Sequence, residues 1–260
     1  GARGMTGRAC LPPGWVIQET LAITPVSRTW RVLADGRQAV LRVDEPLARR
    51  LGLNRAAEPG VLRTVADAGL GPACLDADAT GGWLLTEWLP GGSWSAADLR
   101  EPANLRRAAR LLRRVHDLPP AGPVLDLAAA IDRYAALGGT PAAGPARVAR
   151  DQLARCRSAD ATAGVADCPC LCHNDPTPGN FIALTDGSLR LIDWEYAGLG
   201  DPAFDLAGLA VGAALDPSGD DILLGAYRGR QPEPGELARH GAWKAFCRSL
   251  GALWTGALIE

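Results

Sequence analysis

The first third of the chain alternates short runs of β-branched and aromatic residues with turns. Trp30 to Leu33 and Ala39 to Val43 flank the turn Ala34-Asp35-Gly36-Arg37, which is typical of a β-hairpin because Asp-Gly favours a tight turn. Gly82 to Trp88 has the pattern of a further strand, and Asn54 to Gly69 has the composition of a helix. These patterns predict a small antiparallel sheet with one helix.

After this region the apolar residues follow a helical period. In Ala103 to Leu118 they recur on one helix face, while the arginines occupy the other faces. The apolar face consists of Leu105, Ala108, Ala109, Leu112 and Val115. Further helices are predicted near Leu125 to Leu137 and near Ala146 to Cys156, and most of the chain from Pro202 onward has helical composition.

The turn residues Pro90-Gly91-Gly92 separate these two patterns. We therefore predict an N-terminal lobe at residues 11–88 and a C-terminal lobe at residues 89–260. The predicted fold class is α+β, with a small antiparallel sheet and one helix in the first lobe and a larger, mainly helical second lobe. A chain of 260 residues with 47% hydrophobic content is long and apolar enough to build a core for both lobes.

Charge and hydropathy exclude several classes of partner. The 27 basic and 29 acidic residues are spread along the chain and give a net charge of -2, so no basic block is present that would bind a nucleic acid. The longest nearly uncharged apolar stretch, Leu206 to Leu215, is about half of the ~20 residues that a membrane-spanning helix requires. No apolar signal region precedes the first predicted strand. We expect a cytoplasmic protein that binds neither nucleic acid nor membrane.

The seven cysteines do not form the even, dense pattern of a secreted disulfide scaffold. Cys168, Cys170 and Cys172 lie next to His173 and offer zinc ligands, although structural zinc sites usually space their ligands by two to four residues and need a second pair. Alternation at every second position is also the pattern of a strand with one buried face. Both interpretations stay open from the sequence.

One loop combines the residue types that phosphoryl transfer needs. His173-Asn174-Asp175-Pro176-Thr177-Pro178-Gly179-Asn180 lies between two short apolar runs, and Asp193 follows the second run. Phosphoryl transfer needs a carboxylate that accepts the hydroxyl proton, together with an amide oxygen and a second carboxylate that hold magnesium. A hairpin after the loop would return Asp193 to the side of Asp175 and Asn180. Taken alone, an Asp in a Pro-rich loop is more often a turn former.

This segment resembles the catalytic loop and metal motif of the aminoglycoside phosphotransferase and choline kinase superfamily, which shares the protein-kinase fold. Leu191 to Gly198, continuing from Gly200 to Ala207, is similar to the choline, ethanolamine and thiamine kinase branch. The resemblance implies a two-lobed kinase-like fold, with nucleotide binding by the first lobe and catalysis and acceptor binding by the second. It also implies a role for each motif residue: Asp175 as the catalytic base, His173 as a brace for the loop, and Asn180 and Asp193 as Mg²⁺ ligands.

Two further residues match supporting positions of the family. Asp205 is similar to a buried Asp that holds the catalytic loop through hydrogen bonds, although it could equally cap a helix that begins at Leu206. His116 matches a helix position that the family often fills with His, and we expect a structural role for it.

In the first lobe, Arg42 occupies the strand position where kinases place a phosphate-binding Lys. A guanidinium grips a phosphate through two N–H donors, so Arg suits this role. Glu58 is similar to the helix Glu that pairs with this cation, and Pro59 predicts that the helix begins there because proline is tolerated only in the first turn. The alternative for Arg42 is an exposed strand residue without a ligand.

The segment that covers the phosphates in kinases departs from the usual pattern. Ile23 to Thr29 contains no glycine and includes a proline, so Ser27 and Thr29 are the expected substitutes for backbone donors. Glu87 and Leu89 fit the hinge that hydrogen-bonds the adenine through its backbone. ATP is therefore the expected cofactor by resemblance, together with Mg²⁺.

Tryptophan is frequent for a chain with three Tyr and three Phe, since it occurs eight times. Trp194, Trp243 and Trp254 fall where the acceptor pocket is expected, and Glu195 or a neighbouring acid would balance the charge of a cationic acceptor. A cation on an indole face gains about 0.5 to 2 kcal/mol, which favours a choline-like or thiamine-like alcohol. The alternative is that these tryptophans pack the helical lobe.

The sequence thus predicts a small-molecule kinase that transfers the γ-phosphate of ATP to the hydroxyl of a small, cationic alcohol. An aminoglycoside phosphotransferase is the alternative, but its polycationic substrate calls for many acids, and the last thirty residues offer few. A catalytically weak, pseudokinase-like nucleotide-binding module is the alternative from another class, and the altered phosphate loop is its only support.

Overall fold

The computed structural model describes residues 11–53, 55–162 and 169–258. Asn54 and Cys168, which two of the sequence predictions include, lie outside these residues. Among the helices of the described ranges, none combines the length and apolarity that crossing a bilayer requires.

An antiparallel five-stranded sheet forms the first part of the molecule, in the order β1-β2-β3-β5-β4. Its strands are β1 (Val16–Ile23), β2 (Ser27–Ala34), β3 (Arg37–Asp44), β4 (Cys74–Asp78) and β5 (Trp83–Glu87). The hairpin between β2 and β3 turns at Asp35 and Gly36, whose φ values of 47° and 76° are both positive, as a tight type I′ turn requires. The predicted hairpin is confirmed.

Within residues 11–53 and 55–88, two helices accompany this sheet, whereas the sequence predicted one. The extra helix is α1 (Pro46–Arg50), a single turn directly after β3. Helix α2 (Glu58–Asp67) is shorter than the predicted Asn54 to Gly69 and begins at Glu58, with Pro59 in its first turn, where a missing N–H group is tolerated.

The rest of the chain is mainly helical, as predicted. Its helices are α3 (Ala96–Arg100), α4 (Pro102–His116), α5 (Leu127–Leu137), α6 (Ala143–Thr162), α7 (Pro202–Gly212), α8 (Pro217–Arg228) and α9 (Pro234–Ala257). Five short strands complete it, namely β6 (Gly91–Ser93), β7 (Cys170–Cys172), β8 (Phe181–Leu184), β9 (Leu189–Leu191) and β10 (Gly198–Gly200). β6, β8 and β9 form one small antiparallel sheet, and β7 pairs with β10.

Hydrophobic packing joins the two parts. Val61 and Val65 of α2 lie in one core cluster with the buried face of α4. Val26, Ala48 and Leu51 lie in a second cluster with side chains of α5, α6 and α9. The lobe boundary at residues 88 and 89 stays a prediction, and these contacts show that the core is continuous across it.

Leu112 tests this core, because its side chain is fully buried on the predicted apolar face of α4. We expect Leu112→Ala to lower the free energy of unfolding by about 2–5 kcal/mol, since it removes buried methyl groups and leaves a cavity. Urea unfolding followed by circular dichroism measures this. Arg106→Ala on the exposed face of the same helix is the matched control, with an expected change within about 0.5 kcal/mol. Equal effects of the two variants would contradict the assigned helix face.

Candidate active site

The loop between β7 and β8 carries Asp175 and ends in a 3₁₀ turn, Pro178–Asn180. The β8–β9 hairpin then returns the chain to this loop, where the backbone N–H of Ile192 donates to the Asn180 carbonyl at 2.9 Å. Asp193 is the next residue. The structure therefore brings Asp175, Asn180 and Asp193 together, because a short hairpin returns the chain to its starting point.

The buried carboxylate of Asp205 holds this loop. It accepts hydrogen bonds from the backbone N–H groups of His173 at 2.8 Å and Asn174 at 2.7 Å, and it lies 3.0 Å from His116 Nε2. His116 in turn bonds the Tyr227 hydroxyl at 2.8 Å. The N-cap of α7 is Asp201, so the alternative of Asp205 as a helix cap is wrong. Asp205 lies in the first turn and points to the loop.

His173 is completely buried and joins the loop to the segment after β9. Its Nε2 lies 2.9 Å from the Ile192 carbonyl and must donate there, so its Nδ1 accepts the Asp175 N–H at 3.3 Å. Burial lowers the pKa of His173, which favours this neutral form. The neutral ring therefore fixes the backbone at Asp175.

Trp194 covers His173, with 4.7 Å between the ring centroids, and donates its indole N–H to the Leu191 carbonyl. It is 1% exposed. Trp194 is therefore part of the core beneath the loop, and its expected place in an acceptor pocket is wrong. The prediction rested on the position of Trp194 directly after Asp193. The Trp194 side chain instead packs into the core.

Two residues of the site have backbone conformations that L-amino acids rarely adopt. Asn174 and Asp193 have φ values of 65° and 64°. Asn174 is held by its bond to Asp205 and by a second bond from its side-chain amide to the Tyr196 carbonyl. A Cβ on Gly200 would lie 3.0 Å from the Asn174 Oδ1, so only glycine fits beside it without a shift. Such strained positions cluster at functional sites.

Asp175 and its neighbours form a concentration of negative charge. Burial, followed by the carboxylates of Asp193 and Glu195, raises the pKa of Asp175 well above its usual value. The Asn180 amide nitrogen donates to the Asp175 carbonyl at 2.9 Å, which leaves the amide oxygen as the group available to a cation. Asp193 keeps 42% of its side chain exposed. An amide oxygen beside an accessible carboxylate is the hard oxygen donor set that suits Mg²⁺.

Arg42 is buried on β3, so the alternative of an exposed strand residue is wrong. It pairs with both carboxylate oxygens of Glu58, one of them at 3.0 Å, and its Nη1 lies 3.2 Å from Asp193. Burial alone would lower the pKa of Arg42, but the carboxylates of Glu58, Glu195 and Asp193 outweigh it and raise this pKa. Its Nε is buried without a hydrogen-bond partner among the described residues. A buried donor of this kind fits an anionic ligand.

Glu195 faces the first lobe. Its carboxylate accepts from Arg55 at 2.8 Å and lies 3.7 Å from Arg42. The expectation that Glu195 balances a cationic acceptor is therefore not met, because two arginines already neutralise it. Burial and the Asp193 carboxylate raise the pKa of Glu195 to about 7. Arg55 was missed by sequence reasoning, since its partners are distant in the chain.

Ser27 and Thr29 lie directly opposite Asp44 and Arg42 in the β2–β3 ladder. Directly opposed residues share a face of the sheet, so Ser27 and Thr29 lie on the same face as Arg42 and Asp44. The turn before them is closed by Thr24, whose hydroxyl accepts the N–H groups of Val26 and Ser27. The glycine-free turn thus satisfies its own backbone donors.

The predicted hinge follows the sheet. β5 ends at Glu87, whose backbone N–H donates to the Ala73 carbonyl and whose side chain accepts the Ala73 N–H at 3.2 Å. Leu89 is 7% exposed, in the link that leads to β6. These contacts define the backbone at the expected adenine position.

A cavity of about 370 Å³ opens beside Asp175. Its walls come from the catalytic loop, α5, α7 and α9, and its aromatic lining consists of Tyr134, Tyr196, Phe204 and Trp254. The Trp254 indole N–H donates to the Tyr196 hydroxyl at 3.1 Å. Asp175 is the only charged side chain among the described residues that line this cavity.

Trp243 does not reach this cavity. It is 3% exposed, packs against Phe204 and Phe246, and donates its indole N–H to Asp160 at 3.3 Å. The expectation of an acceptor role for Trp243 is therefore wrong. Trp254 lines the cavity, and its acceptor role stays a prediction. Tyr134, Tyr196 and Phe204 were not predicted, because single aromatic residues on amphipathic helices and loops carry no distinguishing pattern.

The cysteine cluster has the structure of a strand. Cys170 and Cys172 lie in β7, with 3.7 Å between their sulfur atoms, which confirms the strand interpretation of the alternation. His116, Cys172 and Asp205 place ligand atoms within 4.8 Å of one another, but His116 and Asp205 already bond each other. The strand accounts for the alternation of Cys170 and Cys172.

Comparisons with known proteins agree with this geometry. The protein LicA from Haemophilus influenzae is 48% identical over 56 residues, which is 22% of this chain and 21% of that relative. A crystal structure of a choline/ethanolamine kinase family protein from Mesorhizobium loti has a TM-score of 0.74 at 29% identity and covers 95% of this chain and 82% of its own. LicA in complex with AMP has a TM-score of 0.76 at 20% identity, with coverage of 96% and 87%.

These similarities confirm the predicted fold, a two-lobed α+β architecture of the protein-kinase type, and the resemblance to the choline kinase branch. The alignment with the curated relative spans only about a fifth of that protein's own length. The broader match is decisive: residues 26–240 fit the sequence profile of the phosphotransferase enzyme family, and the chain therefore belongs to that family.

Proposed function

We propose that this phosphotransferase transfers the γ-phosphate of ATP to the hydroxyl of a small, cationic alcohol. The observation that carries the proposal is the position of Asp175, which lines the aromatic cavity and also contacts Asn180. A base at this position would reach an alcohol in the cavity on one side and lie next to the metal and phosphates on the other. ATP and Mg²⁺ are the required cofactors, and the cytoplasm, which supplies both, is the proposed location.

Asp175 is suited to act as the base. A raised pKa increases the affinity of the carboxylate for the hydroxyl proton, and the bonds to His173 and Asp205 keep the loop in place without a reorganisation cost. Asn180 and Asp193 would hold Mg²⁺, which neutralises phosphate charge when it is bound. The presence of these three groups opposes the pseudokinase-like alternative.

Arg42 is the proposed phosphate ligand, with Glu58 as its partner. The buried, unpaired Nε–H of Arg42 supports this role. Ser27 and Thr29 share the sheet face of Arg42 and would contribute hydroxyl donors. The hinge at Glu87 and Leu89 would bind the adenine through its backbone. The solved complex of LicA with AMP, which has the same fold, supports nucleotide binding.

The cavity favours a compact acceptor with one positive charge. Tyr134, Tyr196 and Trp254 can present aromatic faces to a cation, and Asp175 supplies the single negative charge. A volume of about 370 Å³ lies at the small end of ligand pockets. An aminoglycoside would bring several ammonium groups to one carboxylate. Similar solved structures, a choline/ethanolamine kinase family protein and a choline kinase, support the same class.

Asp175→Asn tests the base. Because the amide cannot accept the hydroxyl proton, we expect kcat to fall by about two to four orders of magnitude, while nucleotide affinity changes little. Steady-state kinetics and calorimetric nucleotide titration measure the two effects. Asp186→Asn is the matched control, since Asp186 is exposed and accepts only a local turn hydrogen bond. A near-normal kcat in Asp175→Asn would refute the assignment.

Asp193→Ala tests the metal site. We expect it to abolish the part of the nucleotide affinity that depends on Mg²⁺, because it removes the accessible carboxylate beside Asn180. Calorimetric titrations of ATP with and without Mg²⁺ measure the difference. Asp117→Ala, which removes an exposed carboxylate paired with Arg113, should bind like the wild type. The proposal fails if Asp193→Ala keeps the full Mg²⁺ dependence.

Choline and its uncharged carbon analogue 3,3-dimethylbutanol test the acceptor class. Cation–π attraction predicts that kcat/KM for choline exceeds that for the neutral alcohol by about tenfold or more. Trp254→Leu should reduce this ratio, because it removes an aromatic face and keeps an apolar wall. Trp15→Leu, a half-buried tryptophan against the first sheet and outside the cavity, serves as control. Similar kcat/KM for both alcohols, or better turnover of a kanamycin-like aminoglycoside, would contradict the proposed class.

A further inference from the structure

Arg55 connects three separate segments around the proposed phosphate site. Its guanidinium forms a two-pronged bond to Asp44 at the end of β3, with contacts of 2.6 and 2.9 Å. It also donates to Glu195 at 2.8 Å and to Glu58, the first residue of α2, at 3.3 Å. The side chain is 11% exposed. Arg55 therefore contacts the strand, the helix and the segment after Asp193 at once.

These side chains belong to an ion-pair cluster around Arg42 and Arg55 that contains more carboxylates than cations. Arg42 and Arg55 face the four carboxylates of Asp44, Glu58, Asp193 and Glu195. Each carboxylate in such a buried site gains from a guanidinium neighbour, so the carboxylates compete for the two arginines. The division of partners between Arg42 and Arg55 then decides which donors of Arg42 are left for a ligand.

The distances show how this division works at Asp44. Its Oδ1 lies 2.6 Å from Arg55 Nη2 but 3.9 Å from Arg42 Nε, the donor for which the described part of the chain offers no hydrogen-bond partner. Arg55 thus binds the Asp44 carboxylate, which lies beside the free Nε–H of Arg42. Glu195 shows the same preference, with 2.8 Å to Arg55 and 3.7 Å to Arg42.

We propose that Arg55 is a positioning residue that keeps Asp44 and Glu195 off Arg42, so that Arg42 stays paired with Glu58 and retains its Nε–H for the nucleotide phosphates. This inference rests on the proposed kinase function. Without Arg55, the Asp44 carboxylate accepts the free Nε–H of Arg42, and the Glu195 carboxylate pairs with Nη1 of the same guanidinium. The phosphate donor is then occupied by the protein's own carboxylates.

A double-mutant cycle with Asp44 separates this role from simple structural support. Arg55→Gln removes the cation that holds Asp44, and we expect the Kd for Mg²⁺-ATP to rise about tenfold or more, as for a buried charge-assisted hydrogen bond. KM for the acceptor should change much less. Adding Asp44→Asn removes the carboxylate that closes onto Arg42, so the double variant should recover most of the lost nucleotide affinity. Loss of structural support alone would make the double variant as weak as Arg55→Gln or weaker.

The measurements are calorimetric Kd values for Mg²⁺-ATP and melting temperatures for the wild type, both single variants and the double variant. Arg49→Gln, an exposed arginine that donates only to the Thr80 carbonyl, is the matched control and should bind ATP like the wild type. If Arg55→Gln does not fold, Arg55→Lys supplies the single variant. An ammonium cannot hold both oxygens of Asp44 in a fork, so Arg55→Lys should also weaken binding and also be rescued by Asp44→Asn.

Unchanged affinity in the Arg55 variant, or no recovery in the double variant, would overturn the inference. The wild-type measurements keep this result distinct from the proposed function. A wild-type protein that does not bind Mg²⁺-ATP refutes the kinase proposal itself. A wild type that binds ATP and phosphorylates an alcohol, combined with an Arg55 variant that binds equally well, refutes only the role of Arg55.

Discussion

Three hydrogen bonds converge on the buried carboxylate of Asp205, and the geometry of the active site depends on them. Two come from consecutive backbone N–H groups of the catalytic loop, and the third from His116 on a different helix. A buried carboxylate is costly unless it is fully bonded, so the loop and the carboxylate stabilise each other. The constraint holds Asn174 in a left-handed conformation and directs Asp175 into the cavity.

Charge is distributed unequally on the two sides of Asp175. On the proposed nucleotide side, two arginines and four carboxylates form one network, buried except at Asp193, which suits a ligand that brings both phosphate and metal. On the proposed acceptor side, Asp175 is the only charged side chain among the described lining residues, and four aromatic residues line the cavity. This asymmetry agrees with a polyanionic donor on one side and a compact monocation on the other.

Sequence patterns succeeded where local interactions decide the structure. The Asp35-Gly36 turn, the apolar face of α4 and the start of α2 at Glu58 each depend on residues a few positions apart. The tryptophans show the opposite case. Trp194 and Trp243 were assigned to the acceptor pocket by their place in the chain, but whether an indole lines a cavity or fills the core depends on which helices and loops pack against it.

The sequence by itself determined the family through its motif, and the two-lobed architecture through the change from strand to helix patterns along the chain. One short hairpin determined that Asp175, Asn180 and Asp193 come together, because they lie within about twenty residues. Tertiary structure alone decided the partners of Arg42, the bridging position of Arg55 and the aromatic lining of the cavity. Asp44, Arg55 and Glu195 meet only after the lobes pack together. Ion pairs of this kind leave no periodic signal, since their energy depends on burial and on neighbouring charges.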